Sequence, residues 1–426
     1  MNRLLTALPL TLLLSSFSKA DDWPQFRGPN RDAVCSDQGL LEAFPPDGVK
    51  IRWRVPVGGG YSSPVIAQGR VYLAYSEWKG EQAWEHLRCI DEKTGATLWT
   101  YSYPVGYDPQ WREGNSHDGP RATPTIHQGK LYEIGADGDV FCLDAAKGEL
   151  LWKKPLRDEY GLGDHRCITP SPLIEGDLLI LVLGGKPDAG VVAFDRNTGK
   201  EVWRALEGRW TYSSPIIVNA GGQRQLIVWT ARAVTSLDPA TGKTYWREAH
   251  DLENGPSLVA TPVVRGDLLL VSGMMFRLDA EKPAATLLWP ESAAPARRVL
   301  SSTSMPLLQG DYIYSERTNG LLICLEAKTG KHVWKSEKVT RIGGGAALHL
   351  TPHGDAVWIF TDQGDLIRAR LNPEGYQELS RAHVLDPTMP FSGRKVAWSP
   401  PAFANRHLFV RSERELVCAS LAAAGD

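Results

Sequence analysis

The sequence predicts an all-β fold, an eight-bladed β-propeller of four-stranded antiparallel blades, closed by pairing its N-terminal strand with its last blade. Three observations predict it. First, an acidic residue is followed four positions later by Gly and eight positions later by Trp in five copies: Asp91-Gly95-Trp99, Asp144-Gly148-Trp152, Asp195-Gly199-Trp203, Asp238-Gly242-Trp246 and Glu326-Gly330-Trp334. Second, Trp53, Trp99, Trp152, Trp203, Trp246, Trp289 and Trp334 lie 43 to 53 residues apart, the length of one four-stranded blade. Third, Ile51-Arg52-Trp53-Arg54-Val55 reads as a Trp-bearing fourth strand with no strands before it, while the last copy stops one strand short near Ser420.

Residues 1–20 read as a secretory signal. Arg3 gives the positive start, residues 4–17 the apolar stretch, and Ser18-Lys19-Ala20 the small residues of a cleavage site. The stretch is too short to span a bilayer, and no later segment is long and apolar enough to do so. No Cys follows it closely, so a lipid anchor is not expected. The chain is therefore expected to be periplasmic or secreted. Residues 21–50 are read as an irregular strap across one face, anchored by the aromatics of Trp23-Pro24-Gln25-Phe26-Arg27-Gly28-Pro29-Asn30.

Residues 51–420 form the propeller, with residues 421–426 as a tail. Each clear copy opens on an innermost strand after Ser63-Pro64, Thr123-Pro124, Ser171-Pro172, Ser214-Pro215 or Met305-Pro306. The runs that follow alternate apolar and polar residues or are short and apolar, as in Asp139-Val140-Phe141-Cys142-Leu143. The turn Gly suits the positive φ of a tight connection between strands three and four. Three copies are degenerate. In the fifth, Glu281-Lys282-Pro283 replaces the Thr-Gly turn before Trp289. The seventh, around Gly354 and Asn372-Pro373-Glu374-Gly375, has no Trp, and the eighth begins at Ser399-Pro400. A seven-bladed ring, with the seventh copy as an insertion, is the alternative. A single blade cannot bury both faces; a closed ring can. The repeat Trp side chains are expected to dock between neighbouring blades.

Of six cysteines, Cys89, Cys142, Cys324 and Cys418 occupy one third-strand position in different blades, where other blades place Ala193, Ser236 and Arg277. Equivalent positions on packed sheets lie roughly 10 Å apart, beyond the ~7 Å a disulfide allows. Cys35 with Cys167 is the pair that remains open. The net charge of −2 and the lack of a basic run exclude a nucleic-acid partner.

The Leu-Asp-x-x-Thr-Gly-x-x-x-Trp units resemble the repeats of the pyrroloquinoline-quinone (PQQ) dehydrogenase superfamily over nearly all of residues 51–420. They also resemble the eight-bladed propeller that assists assembly of outer-membrane β-barrels. The opening Trp-Pro-Gln-Phe-Arg-Gly-Pro-Asn-Arg-Asp, with Gly119-Pro120-Arg121-Ala122-Thr123-Pro124, is similar to exported planctomycete-type members. The dehydrogenases hold PQQ beneath a ring of two adjacent cysteines, and the sequence has no Cys-Cys pair. They are also longer, with inserted loops for calcium and substrate.

Loops entering the innermost strands converge on one face and carry Arg, His and aromatic residues. The candidate ligand-binding residues are Tyr61, Arg121, His165, Arg166, Trp210, Tyr212, Arg341, Arg394 and Trp398. Arg pairs bidentately with carboxylate or phosphate, and aromatic rings give stacking faces. The first reading is an exported binding propeller without catalysis. It would act as a monomer and present this face to an envelope protein, an acidic small molecule or a glycan. One alternative is a PQQ- and calcium-dependent alcohol or sugar dehydrogenase with Asp118 or Asp164 as base and Asn115 as a further calcium oxygen. The other is a carbohydrate-active enzyme such as a polysaccharide lyase, with His117 beside Tyr61 or Tyr212.

Overall fold

A computed structural model of the 426-residue chain describes residues 22–108, 119–163, 168–207, 211–250, 259–290, 300, 304–317 and 319–423. Among these residues there is no helix. Eight four-stranded antiparallel sheets follow one another along the chain. In blade 1, β2 (Val65–Ala67), β3 (Arg70–Lys79), β4 (Gln82–Asp91) and β5 (Thr97–Val105) pair in chain order. Blades 2 to 7 repeat that order, starting from Thr125–His127, Leu173–Glu175, Ile216–Ala220, Val263–Arg265, Leu307–Gln309 and Leu348–His353. Blade 8 takes three strands from Ala402–Ala404, His407–Arg411 and Glu415–Ser420, and its fourth is β1 (Lys50–Pro56). Trp53 pairs with Cys418 and Val55 with Leu416, so the ring closes through its two ends. The seventh copy is a full blade, which excludes the seven-bladed alternative.

The repeat Trp residues hold neighbouring blades together. The indole N–H of Trp53 donates to the Glu92 carbonyl at 2.8 Å, that of Trp99 to Ala145 at 3.1 Å and that of Trp203 to Pro239 at 3.1 Å. Trp152, Trp289 and Trp334 bond the next blade in the same way. Each acceptor lies in the turn between strands three and four of the following blade. For Trp53, Trp99, Trp152, Trp203 and Trp289 the ring then lies on the turn glycine, while Trp334 bonds Asn372 without such a contact. A Cβ on Gly242, at φ +73°, would come within 2.5 Å of the Trp203 indole, and one on Gly148 within 2.6 Å of Trp99. The glycine is therefore required twice, for its left-handed backbone and for the face it offers the indole. Trp246 departs further. The fifth blade has no Thr-Gly turn, and Trp246 donates instead to Gln225 Oε1 of its own blade at 2.9 Å.

Cys89, Cys142, Cys324 and Cys418 are buried thiols in equivalent positions, each between an aromatic of strand two and the Trp of strand four, as Cys142 lies between Tyr132 and Trp152. Burial pushes the first three thiols up to about 11. In blade 5 the equivalent residue is Met275, which pairs with Trp289, and not Arg277, which is exposed opposite Thr286. The longer turn slides the fourth strand by two residues. Cys35 is buried, and the suggested partner Cys167 lies outside the described residues.

Blade 7 has Ser380 where other blades place Trp, opposite Arg368. The N-terminal segment fills that position. The Phe44 N–H donates to Ser380 Oγ at 2.8 Å, and its ring stacks on Trp358 at 5.9 Å. Trp358 in turn stacks on Phe403 of blade 8 at 6.3 Å.

The rest of that segment runs inside the ring. Trp23 exchanges two 2.9 Å backbone bonds with Ile66, and Pro24 accepts from Ile126 N at 2.7 Å. These are the unpaired edges of the innermost strands of blades 1 and 2. Phe26 packs on Ala260 and Met305 across the ring, and Cys35 N reaches Pro352 O of blade 7 at 3.0 Å. A second belt joins the strand heads. Ser63 N donates to Thr123 Oγ1 at 3.1 Å, Thr123 N to Ser171 Oγ at 3.0 Å and Ser171 N to Ser214 Oγ at 2.9 Å.

Between blades 1 and 2 two carboxyls are buried. Glu85 accepts from the Tyr107 hydroxyl and from Ala136 N at 3.2 Å. Both oxygens of Glu133 are buried without a partner. Desolvation raises Glu85 to about 7 and Glu133 well above the ordinary carboxyl value, with their mutual repulsion adding to the second.

Two expectations follow from this packing. Trp203→Ala should lower global stability by about 3–5 kcal/mol in a denaturant titration, and Trp246→Ala by clearly less, since it has no glycine face to lose. Equal losses would contradict the docking account. Glu85 holds its proton in the folded state to about pH 7, against 4.5 ordinarily. Folding takes up a proton between those values, and stability falls as pH rises through that window. Glu133→Gln should gain in melting temperature over the parent as pH rises from about 5 to 8; a constant difference would contradict the assignment.

Candidate functional site

The loops that enter the innermost strands bring four of the sequence-predicted residues together. Tyr61 follows a glycine run and is fixed by its N–H to the Pro120 carbonyl at 2.8 Å. That bond sets it against Arg121, the neighbour of Pro120. The Arg121 guanidinium lies between two phenol rings, 5.2 Å from the Tyr61 centroid and 5.4 Å from that of Tyr212. Its Nη1 donates to the Tyr212 hydroxyl at 3.2 Å. Trp398 stacks on Tyr61 at 6.3 Å and 30°. All four are half-buried. Blades 1, 2, 4 and 8 each contribute one residue, so the cluster exists only when the ring is closed. A cation held between π faces keeps its charge while losing part of its water. The arrangement can bind an anionic group flanked by apolar or aromatic surface.

A two-stranded hairpin, Met389–Phe391 with Arg394–Val396, buttresses Trp398. Phe391 meets Trp398 edge-on at 4.6 Å, and the Trp398 indole N–H donates to the Gly345 carbonyl at 2.6 Å. A Cβ on Gly345 would fall 2.2 Å from Phe391, so the loop can pass only as glycine. Arg394 does not present its charge to the collar. It forms a buried ion pair with Asp362, and its Nη1 donates to the Arg341 carbonyl at 2.8 Å. Asp362 also accepts from Thr340 Oγ1 at 2.9 Å, and burial still raises its carboxyl above the ordinary value. Arg341 is exposed on the same loop. His349 bonds the Trp398 carbonyl through Nε2 at 2.9 Å, and desolvation lowers it to about 4. It is neutral at pH 7.

The candidates Asn115, His117, Asp118, Asp164, His165, Arg166 and Trp210 lie outside the described residues. The sequence reading missed Phe391, Gly345 and Asp362. Phe391-Ser392-Gly393 immediately before Arg394 was the available signal of a turn carrying an aromatic to the site.

PQQ with calcium requires oxygen ligands grouped around a cation. Among the described residues no three acidic, His or Cys side chains group in that way. The sequence also lacks adjacent cysteines. The oxygen-bearing candidates Asn115, Asp118 and Asp164 lie outside the described residues.

A family model described as outer membrane protein assembly factor BamB matches residues 83–336. The chain is 27% identical over 231 residues to the 1-butanol dehydrogenase (quinone) of Thauera butanivorans, across 51% of this chain and 34% of that protein. It is 25% identical over 297 residues to an outer membrane protein assembly factor BamB of Alteromonas naphthalenivorans, across 64% of this chain and 65% of the relative. It thus spans about a third of the dehydrogenase and just under two thirds of the assembly factor. The crystal structure of BamB from Moraxella catarrhalis superposes with a TM-score of 0.59 at 18% identity, covering 87% of this chain and 97% of that one. Quinohemoprotein alcohol dehydrogenase from Comamonas testosteroni does so with a TM-score of 0.65 at 15% identity, covering 95% and 81%. These likenesses show the fold. The matched model covers more than half of the sequence, and the chain belongs to the PQQ-like repeat propeller family that bears the BamB description.

Proposed function

We propose that the protein is an exported, monomeric binding propeller of the cell envelope that performs no catalysis. Its collar takes an acidic group displayed by an envelope protein. The observation that carries this reading is the Arg121 guanidinium held between Tyr61 and Tyr212 with Trp398 stacked on Tyr61. That cluster supplies one cation with aromatic surface around it, the chemistry of anchored protein recognition. Relatives named as outer membrane assembly factors favour a protein partner over a glycan. Cleavage after Ala20 would release the chain to the periplasm or beyond. No described helix is long and apolar enough to cross a membrane.

Arg121→Ala and Tyr212→Ala should leave the melting temperature within a few degrees of the parent. Each should weaken capture of the partner from solubilised envelope by tenfold or more, about 1.4 kcal/mol. Unchanged capture would reject the collar. Capture of an acidic polysaccharide in place of protein would overturn the choice of partner. Titration of the folded chain with PQQ and calcium should give no tight binding and no dye reduction with butanol. Turnover would establish the dehydrogenase alternative instead.

A further inference from the structure

Neither blade docking nor the collar uses Arg27 and Arg31. Both lie on the N-terminal segment inside the ring, and each is only 5% exposed. Their backbones are left-handed, with φ +62° at Arg27 and +58° at Arg31, as is that of Ala33 two residues on, at +61°. Three non-glycine residues in that region are strained. The conformation places two long cationic side chains at buried positions.

The two guanidiniums are unequally satisfied. Arg31 donates to the Pro172 carbonyl at 2.8 Å, to Ser171 O at 3.1 Å and to Gln25 Oε1 at 3.2 Å. Its Nε has no partner. Arg27 makes one long bond, Nη2 to the Asp32 carbonyl at 3.3 Å, and its Nε and Nη1 are buried without a partner. All these acceptors are neutral. Neither residue forms an ion pair among the described residues, and the Asp32 side chain, which favours the Arg27 charge from a distance, is exposed. Burial pushes Arg27 down to about 10 and Arg31 to about 9, with the charge of Arg27 adding to the second. Both stay cationic at neutral pH. A buried charge without a counter-charge costs several kcal/mol, and here two sit close enough to repel. The hydroxyls of Ser63 and Thr261, at the heads of the innermost strands of blades 1 and 5, are also buried without a partner. These strands flank the segment through Ile66 and Ala260.

Water could fill the hydrogen bonds but not neutralise the charge. We propose that the N-terminal segment and the innermost strands enclose a site for a small oxyanion, a phosphate or a carboxylate, held by an unused N–H of Arg27 with Arg31 as the second charge. The unused Nε–H and Nη1–H of Arg27 lie on different edges of the guanidinium, so each offers a separate charge-assisted hydrogen bond to such an anion. The site is separate from the Arg121 collar and does not depend on the function proposed for it.

Calorimetry on the full mature chain, at fixed ionic strength in chloride, would use inorganic phosphate and acetate as separate probes. Saturable binding of at least one is expected, and which one binds tells the phosphate source from the carboxylate source. Arg27→Gln should weaken it about tenfold or more, and Arg27→Lys, which keeps the charge but loses the guanidinium's directed N–H groups, by an intermediate factor. Crystals soaked in selenate give a readout that needs no variant: an anomalous peak within hydrogen-bond distance of Arg27. No saturable binding of either probe, undiminished affinity in a folded Arg27→Gln chain, or a selenate peak elsewhere would overturn the proposal.

Discussion

The fold depends on one contact, an indole laid on a glycine of the next blade. Each blade is a small twisted sheet with two apolar faces, and neither can be buried without a neighbour. The Trp–Gly contact fixes which neighbour and in what register. Its N–H finds a backbone carbonyl in the same turn that supplies the glycine, so apolar burial and polar satisfaction coincide. Where the turn is lost, as at Glu281-Lys282-Pro283, the indole of Trp246 turns back to its own blade. Where the Trp is lost, as at Ser380, Phe44 is brought in from the N-terminal segment.

That contact explains what was legible in the sequence. Trp, Gly and the acidic turn residue are under local geometric constraint and recur at fixed offsets, so blade number and ring closure could be read directly. The blade 5 error has the same source. Arg277 was placed by counting back from Asp279, but the strand pairing counts from Trp289, and the longer turn separates the two. The path of residues 22–44 through the ring was not legible. It bonds to strand edges through backbone groups, and backbone groups leave no periodic trace in side chains. The buried Glu85 and Glu133 were hidden similarly, since a strand pattern shows which face a residue takes and not how deep that face lies.

The candidate cluster was legible only in its membership. Arg121, Tyr61, Tyr212 and Trp398 come from loops whose convergence follows from ring topology. Arg394 came from the same loops, yet its charge is taken up by Asp362, a residue with no motif to mark it. A skeleton of repeats and a collar of individual loops thus evolve under separate constraints, and propellers with one skeleton can carry unrelated activities.

The pairing of Trp53 with Cys418 joins positions at opposite ends of the propeller. Until that strand arrives, Glu415–Ser420 presents an open edge, and every other blade must already be in place for the arrival to succeed. The closing strand of a second molecule carries the same sequence and meets the same edge. Crowded refolding therefore sets intramolecular closure against strand exchange between chains, and dilution is the condition that favours a single closed ring.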